Sequence, residues 1–138
     1  MATSTTNTSI LMIEDCQQWQ SLFQRQLRRI VPKLEVVIPT SLEEARQALA
    51  ARQYGALLLD QSLSDWGDFK TTVWDLEQEI LRQIAGGARA LCTSSNRIGQ
   101  QEMVQRFGAV PTTAWTKNRL SEPIEQERLE GLLGIAVK

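Results

Sequence analysis

Acidic residues close two of the short apolar runs in this chain. Ile10-Leu11-Met12-Ile13 stops abruptly at Glu14-Asp15, and Ala56-Leu57-Leu58-Leu59 stops at Asp60; two later runs are followed by Thr93-Ser94 and by Lys117. Carboxylates brought together repel one another and raise their own pKa values unless a cation or a positive side chain joins them. A divalent metal resolves that repulsion. Mg²⁺ takes hard oxygen ligands in near-octahedral geometry and uses one or two carboxylates, so that water and phosphate oxygens complete its shell. With the hydroxyl of Thr93 and the ammonium of Lys117 added, the set is arranged for phosphate.

These residues converge only if the elements carrying them lie side by side. The run 10–13 reads as a buried strand, and from Trp19 the apolar positions Leu22, Phe23, Leu27 and Ile30 recur at helical spacing, with Gln24, Arg25, Arg28 and Arg29 on the other face. Pro32 stops that helix, and residues 34–38 form a β-branched run between prolines, as expected of a strand near a sheet edge. Ser41 and Glu44 have the spacing of a capping box ahead of Ala45, Ala48 and Leu49. Residues 56–59 are too short an apolar run for a helix and fit a strand buried on both faces. After a loop at 61–70, Val73, Leu76, Ile80, Leu81 and Ile84 share one helical face that ends at Gly86-Gly87. Ala90-Leu91-Cys92 predicts a fourth strand, 98–107 a helix ending at Gly108, 113–116 a fifth strand with Trp115 in it, and 123–133 a closing helix with Ser121 at its N-cap.

Strand and helix alternate five times. That order predicts an α/β fold with a parallel sheet covered on both faces, joined by right-handed crossovers, whose ligands bind outside the carboxyl ends of the strands. Those ends are where the carboxylates, Thr93 and Lys117 fall.

Composition narrows the field. A length of 138 residues with 42% apolar content fits one ordinary core. Fifteen Lys and Arg against 16 Asp and Glu give a net charge of −1, so no global basic field attracts nucleic acid. The chain contains no histidine, which removes His-based acid/base catalysis, His metal ligation and a phosphohistidine role. Cys16 and Cys92 sit in no CxxC pair and read as small thiols beside apolar stretches. Without a membrane-length apolar run, a cytoplasmic location and no membrane partner are expected.

An acidic pair after strand one, a lone Asp after strand three, Thr-Ser after strand four and Lys after strand five resemble the pattern of response-regulator receiver domains in two-component signalling, over residues 10 to about 133. The resemblance implies a flavodoxin-like (βα)5 fold: a doubly wound five-stranded parallel sheet in three α/β/α layers, spanning 9–134 between a disordered tail at 1–8 and a short tail at 135–138. It implies that Asp60 is the phosphoacceptor. Asp15 and Asp60 would bind Mg²⁺ directly, together with the backbone carbonyl of Ser62, while Glu14 would act largely through water. Thr93 would donate its hydroxyl to a phosphoryl oxygen, Ser94 would leave room beside it, and Lys117 would pair with the acceptor and then with the phosphoryl group. The implied partners are a sensor histidine kinase or histidine phosphotransfer protein, a downstream protein and possible homodimer mates. Such a protein is a switch that catalyses only its own phosphorylation and dephosphorylation, not an enzyme with an external product.

The chain departs from the pattern at Asn118, where the family has Pro after the conserved Lys, in the loop after Asp60, which lacks the usual Pro, and at Ala114, where an aromatic is usual and Trp115 stands beside it. Strand alternation puts Trp115 on the opposite face from Ala114, as a candidate output-face aromatic. These departures leave open a phosphorylation-independent pseudo-receiver that acts as a constitutive interaction module. An aspartyl phosphatase is disfavoured by Ser62, where a second acid would be needed, and a flavodoxin-like electron carrier by Glu14-Asp15, which would repel a bound phosphate. Each residue also has a plain structural role: Asp60 in a turn, Glu14-Asp15 at a helix start, Lys117 in solvent. Five matched positions in order favour the functional reading.

Overall fold

The fold is a computed structural model that describes residues 9–30, 34–92 and 97–111. Strand β1, Ser9–Ile13, is buried along its whole length. Its residues alternate between two cores: Leu11 and Ile13 enter one, Ile10 and Met12 the other. The same alternation runs through β3, Ala56–Leu59, and β4, Arg89–Cys92, as a strand period of two requires of a sheet covered on both faces. Each fully buried Leu or Ile in these strands contributes roughly 1.5–3 kcal/mol relative to exposure.

Helix α1, Gln17–Ile30, covers one face with Phe23 and Leu27, and Trp19 stacks on Phe23 at 6.1 Å between ring centroids. Helices α2, Leu42–Ala51, α3, Glu77–Ala85, and α4, Arg97–Phe107, cover the other face through Ala45, Leu49, Ile80, Met103 and Phe107. The expected cap of α2 is present: the Ser41 hydroxyl accepts from the Glu44 N–H at 3.1 Å, and the Glu44 carboxylate accepts from the N–H of Thr40 at 2.9 Å. Helix α3 is preceded by a 3₁₀ turn, Val73–Leu76, which Thr72 and Asp75 close with a capping box. Gly87 and Gly108 follow α3 and α4 at φ of +114° and +63°, the left-handed region in which glycine carries no Cβ penalty.

Strand β2, Glu35–Val37, is partly exposed at one edge, and β5, Val110–Pro111, pairs with β4 at the other. All pairings are parallel and the order is β2-β1-β3-β4-β5. This is the flavodoxin-like doubly wound sheet expected from the sequence. Pairing on the fifth strand starts at Val110, three residues before the expected strand. Proline is tolerated there because an edge strand leaves one side without a ladder to donate to. The expected strand at 113–116, the closing helix at 123–133 and both tails lie outside the described residues. No helix among the described residues is long and apolar enough to cross a membrane.

Candidate functional site

The chain leaves β1 toward β2 on one side, while β3, β4 and β5 extend the sheet on the other, so connections diverge at the carboxyl ends of β1 and β3. There Ile13 is in register with Leu59, and the Asp60 N–H donates to the Ile13 carbonyl at 3.0 Å. The next residues, Glu14 and Asp60, are therefore neighbours by register. One carboxylate oxygen from each of Glu14, Asp15 and Asp60 lies within 4.8 Å of the other two.

Each acid is positioned from outside the cluster. Glu14 is only 1% exposed; its Oε2 accepts from the Cys16 N–H at 3.2 Å, and its carbonyl accepts from the Gln20 amide at 2.6 Å. Asp15 Oδ2 accepts from the backbone N–H of Asp65 at 2.7 Å. That bond moors the 3₁₀ turn Ser64–Trp66, in the loop after β3, against the first strand-to-helix turn. Asp60 is 9% exposed at the end of β3. A cleft of about 340 Å³ opens beside the cluster, lined by Asp15, Gln17, Gln20, Thr40, Asp65 and Trp66.

The loop after Asp60 folds back on itself. Ser62 pairs with Thr72 in an antiparallel bridge whose hydrogen bonds come from the flanking residues, Leu63 N–H to Thr71 O at 3.0 Å and Val73 N–H to Gln61 O at 2.8 Å. The Ser62 carbonyl is thus not spent on the bridge. Gln61 reaches the other way: its amide donates to Glu102 Oε1 of α4 at 2.9 Å.

The donor set fits Mg²⁺. It consists of hard carboxylate oxygens from three side chains, and ligands at about 2.0–2.1 Å from one ion stand up to roughly 4.2 Å apart. A cluster spread over as much as 4.8 Å suits two direct carboxylates with the third acting through water. Of the residues expected at the site, Glu14, Asp15 and Asp60 are brought together and Ser62 lies two residues beyond Asp60. Thr93, Ser94, Lys117 and Trp115 lie outside the described residues.

Gln20 was not singled out from the sequence, and Asp65 is legible there only as added negative charge in the loop after Asp60. Gln17 and Gln20, three apart on one helical face directly after an acidic pair, were the available signal for the first. Nothing local marks the contact that Asp65 makes, because its contribution is a backbone N–H.

The β2-β1-β3-β4-β5 parallel sheet is a fold that solved structures share. The chain superposes on the signal receiver domain of a DNA-binding response regulator (merR) from Colwellia psychrerythraea 34H with a TM-score of 0.63 and 16% identity, covering 91% of this chain and 98% of that one. It superposes on the N-terminal domain of an uncharacterized protein from Wolinella succinogenes with a TM-score of 0.58 and 18% identity, covering 91% and 90% of the two chains. No protein-family model matches the sequence, and no curated protein matches it either.

Proposed function

We propose that the chain is a response-regulator receiver that accepts a phosphoryl group on Asp60 from a phosphohistidine of a sensor kinase or phosphotransfer protein, and passes the signal to a protein partner. The observation that carries this reading is the meeting of Glu14, Asp15 and Asp60 at the switch point of the sheet, beside an open cleft.

In the reaction, an Asp60 carboxylate oxygen attacks phosphorus, an acyl phosphate forms, and the P–N bond breaks with its electron pair going to the imidazole, which takes a proton. Such transfers pass through a loose transition state, so catalysis is mostly positioning and neutralisation of oxygen charge. Asp15 and Asp60 would hold Mg²⁺, with the Ser62 carbonyl as a third ligand and Glu14 acting through water. When bound there, Mg²⁺ would supply positive charge to the phosphoryl oxygens. Gln20 fixes the backbone of Glu14, the Asp65 N–H fixes the carboxylate of Asp15, and Asp60 is held largely buried at the end of β3 beside both. Thr93, Ser94 and Lys117 complete the proposal as phosphoryl ligands. The protein acts as a switch inside the cell, not as an enzyme with an external product.

Intact-mass measurement after incubation with a small acyl-phosphate donor and Mg²⁺ tests this. One added phosphoryl group is expected, absent without Mg²⁺ and absent in Asp60→Asn. Labelling that persists in Asp60→Asn places the acceptor elsewhere, and no labelling in either protein replaces the reading with a phosphorylation-independent interaction module.

A further inference from the structure

Helix α1 carries a charge pattern that the acidic site does not use. Its 14 residues contain Arg25, Arg28 and Arg29 and no Asp or Glu. The chain as a whole has 15 basic and 16 acidic residues, so everything outside α1 has 12 against 16. The positive charge is also local: positions 25, 28 and 29 are three and four apart and share one helix face, together with Ser21 and Gln24. These five residues line a shallow depression of about 480 Å³.

Elsewhere on the described surface, three arginines meet carboxylates, while Arg82 stands exposed and alone on its helix without an ion pair among the described residues. Arg46 pairs with Glu43 and Glu79, Arg52 with Glu35, and Arg106 with Glu77. Arg25, Arg28 and Arg29 are exposed and make no ion pair among the described residues. Two of them stand in the last turn, where a cation complements the helix dipole at about 0.3–1 kcal/mol each. That accounts for charge at the end of the helix but not for Arg25, a turn earlier, nor for the absence of any acid along the same face.

We infer that this face of α1 is a docking surface for a protein segment that presents carboxylates over about two helical turns. Three considerations select that occupant. Guanidinium groups bind carboxylates through two parallel hydrogen bonds, which a lysine patch could not do. From Ser21 to Arg29 the face is about 12 Å long at 1.5 Å rise per residue, the length of two turns of a facing helix. Nucleic acid is the poorer match: proteins that track a phosphate backbone make on the order of 6–10 phosphate contacts, whereas this patch has three arginines on a chain that is otherwise acidic. The inference stands without the phosphoryl chemistry, since none of these residues belongs to the carboxylate cluster.

The test uses the full chain without Mg²⁺ or phosphodonor, and fluorescence anisotropy of a labelled helical peptide carrying Glu at i, i+4 and i+7. Wild type is expected to bind it, the triple variant Arg25→Gln/Arg28→Gln/Arg29→Gln at least tenfold more weakly, and a peptide with Gln in place of Glu not at all. Binding should fall as NaCl rises from 50 to 500 mM. A triple Arg→Lys variant, which keeps the charge, should recover only part of the affinity. A thermal melt of each variant checks that the fold is intact. Equal peptide binding by wild type and the Arg→Gln variant overturns the proposal, as does no binding by either. Tighter arginine-dependent binding of a DNA duplex or of phosphatidylserine vesicles than of the peptide overturns it in favour of that ligand.

Discussion

The backbone N–H of Asp65 donates to Oδ2 of Asp15 at 2.7 Å, across a separation of 50 residues in the chain. A hydrogen bond to a charged acceptor is roughly twice as strong as a neutral one, so the loop after β3 is held by one of the cluster carboxylates. Asp15→Ala removes the acceptor and should speed amide exchange at Asp65 and its neighbours at least tenfold. Asp15→Asn keeps a neutral oxygen there and should slow that effect. Both substitutions should weaken Mg²⁺ binding, so hydrogen exchange separates the mooring role of Asp15 from its role toward the metal.

Binding of Mg²⁺ at the cluster should appear as stabilisation even without a phosphodonor. At ten times the dissociation constant, linkage gives about 1.4 kcal/mol, or roughly 3–6 °C in Tm for a domain of this size. Asp60→Asn and Glu14→Gln should each cut the shift, Asp60→Asn more, because its carboxylate is a direct ligand in the proposed set. A Mg²⁺-dependent shift of full size in Asp60→Asn would remove Asp60 from the metal site.

Gln83 is 4% exposed in the packed face of α3, where its side chain holds the end of α2 and the start of β3. Its Oε1 accepts from the Tyr54 N–H at 3.0 Å, and its Nε2 donates to the carbonyls of Leu49 at 2.8 Å and Arg52 at 2.6 Å. Gln83→Leu would leave three backbone groups without that partner, at about 1–3 kcal/mol for each that stays buried. A loss of roughly 2–4 kcal/mol in urea denaturation is expected. A loss below about 1 kcal/mol would mean that water replaces the amide.

The strands were legible because each is a compact apolar run bounded by an acid, a glycine or a polar loop: 10–13 against the observed Ser9–Ile13, 56–59 against Ala56–Leu59, and 90–92 against Arg89–Cys92. Burial on both faces writes itself into composition. The carboxylate cluster was legible for the same reason, since an acid that ends such a run must sit at a strand end. Val110–Pro111 was not, because proline argues against a strand unless the strand is known to be an edge, and edges are a property of topology. Gln83 was missed because a polar residue on a helix is normally solvated, and its partners are backbone groups about thirty residues away.

Two exposed carboxylates each add a small contribution to the acid side of the stability profile. Arg52, through hydrogen bonds at 2.9 and 3.1 Å, holds Glu35 below its ordinary 4.5, and the Thr40 N–H does the same for Glu44. A depressed folded pKa contributes stability that is present above the unfolded value and lost as pH falls through the folded one. Burial pushes the Tyr54 phenol above its ordinary 10.0, so its contribution is complete below that value and lost as pH rises through the folded one. Tm should be flat between these limits and fall on both sides. Glu44→Gln should make the acid limb shallower, and Tyr54→Phe the alkaline limb. Unchanged limbs in both variants would assign the profile to other groups.

Gln61 directly follows the proposed acceptor, and its amide donates to Glu102 of α4, while Arg106 one turn further along α4 pairs with Glu77 at the start of α3. The Trp74 and Phe107 rings stack beneath these links at 5.2 Å between centroids. Helix α4 is therefore tied to the segment that carries Asp60 by one exposed polar contact, and to α3 and the turn before it by an ion pair and an aromatic stack. Exposed contacts of this kind are worth only a few tenths of a kcal/mol, so Glu102→Ala should change global stability by less than about 1 kcal/mol. A charge added to Asp60 acts first on its neighbours, and Gln61 is the neighbour that α4 holds. Hydrogen exchange across α4, with and without phosphodonor and Mg²⁺, should show a response in wild type and less than half of it in Gln61→Ala and Glu102→Ala, at equal phosphoryl stoichiometry. A full response in both variants would route the signal through residues other than this pair.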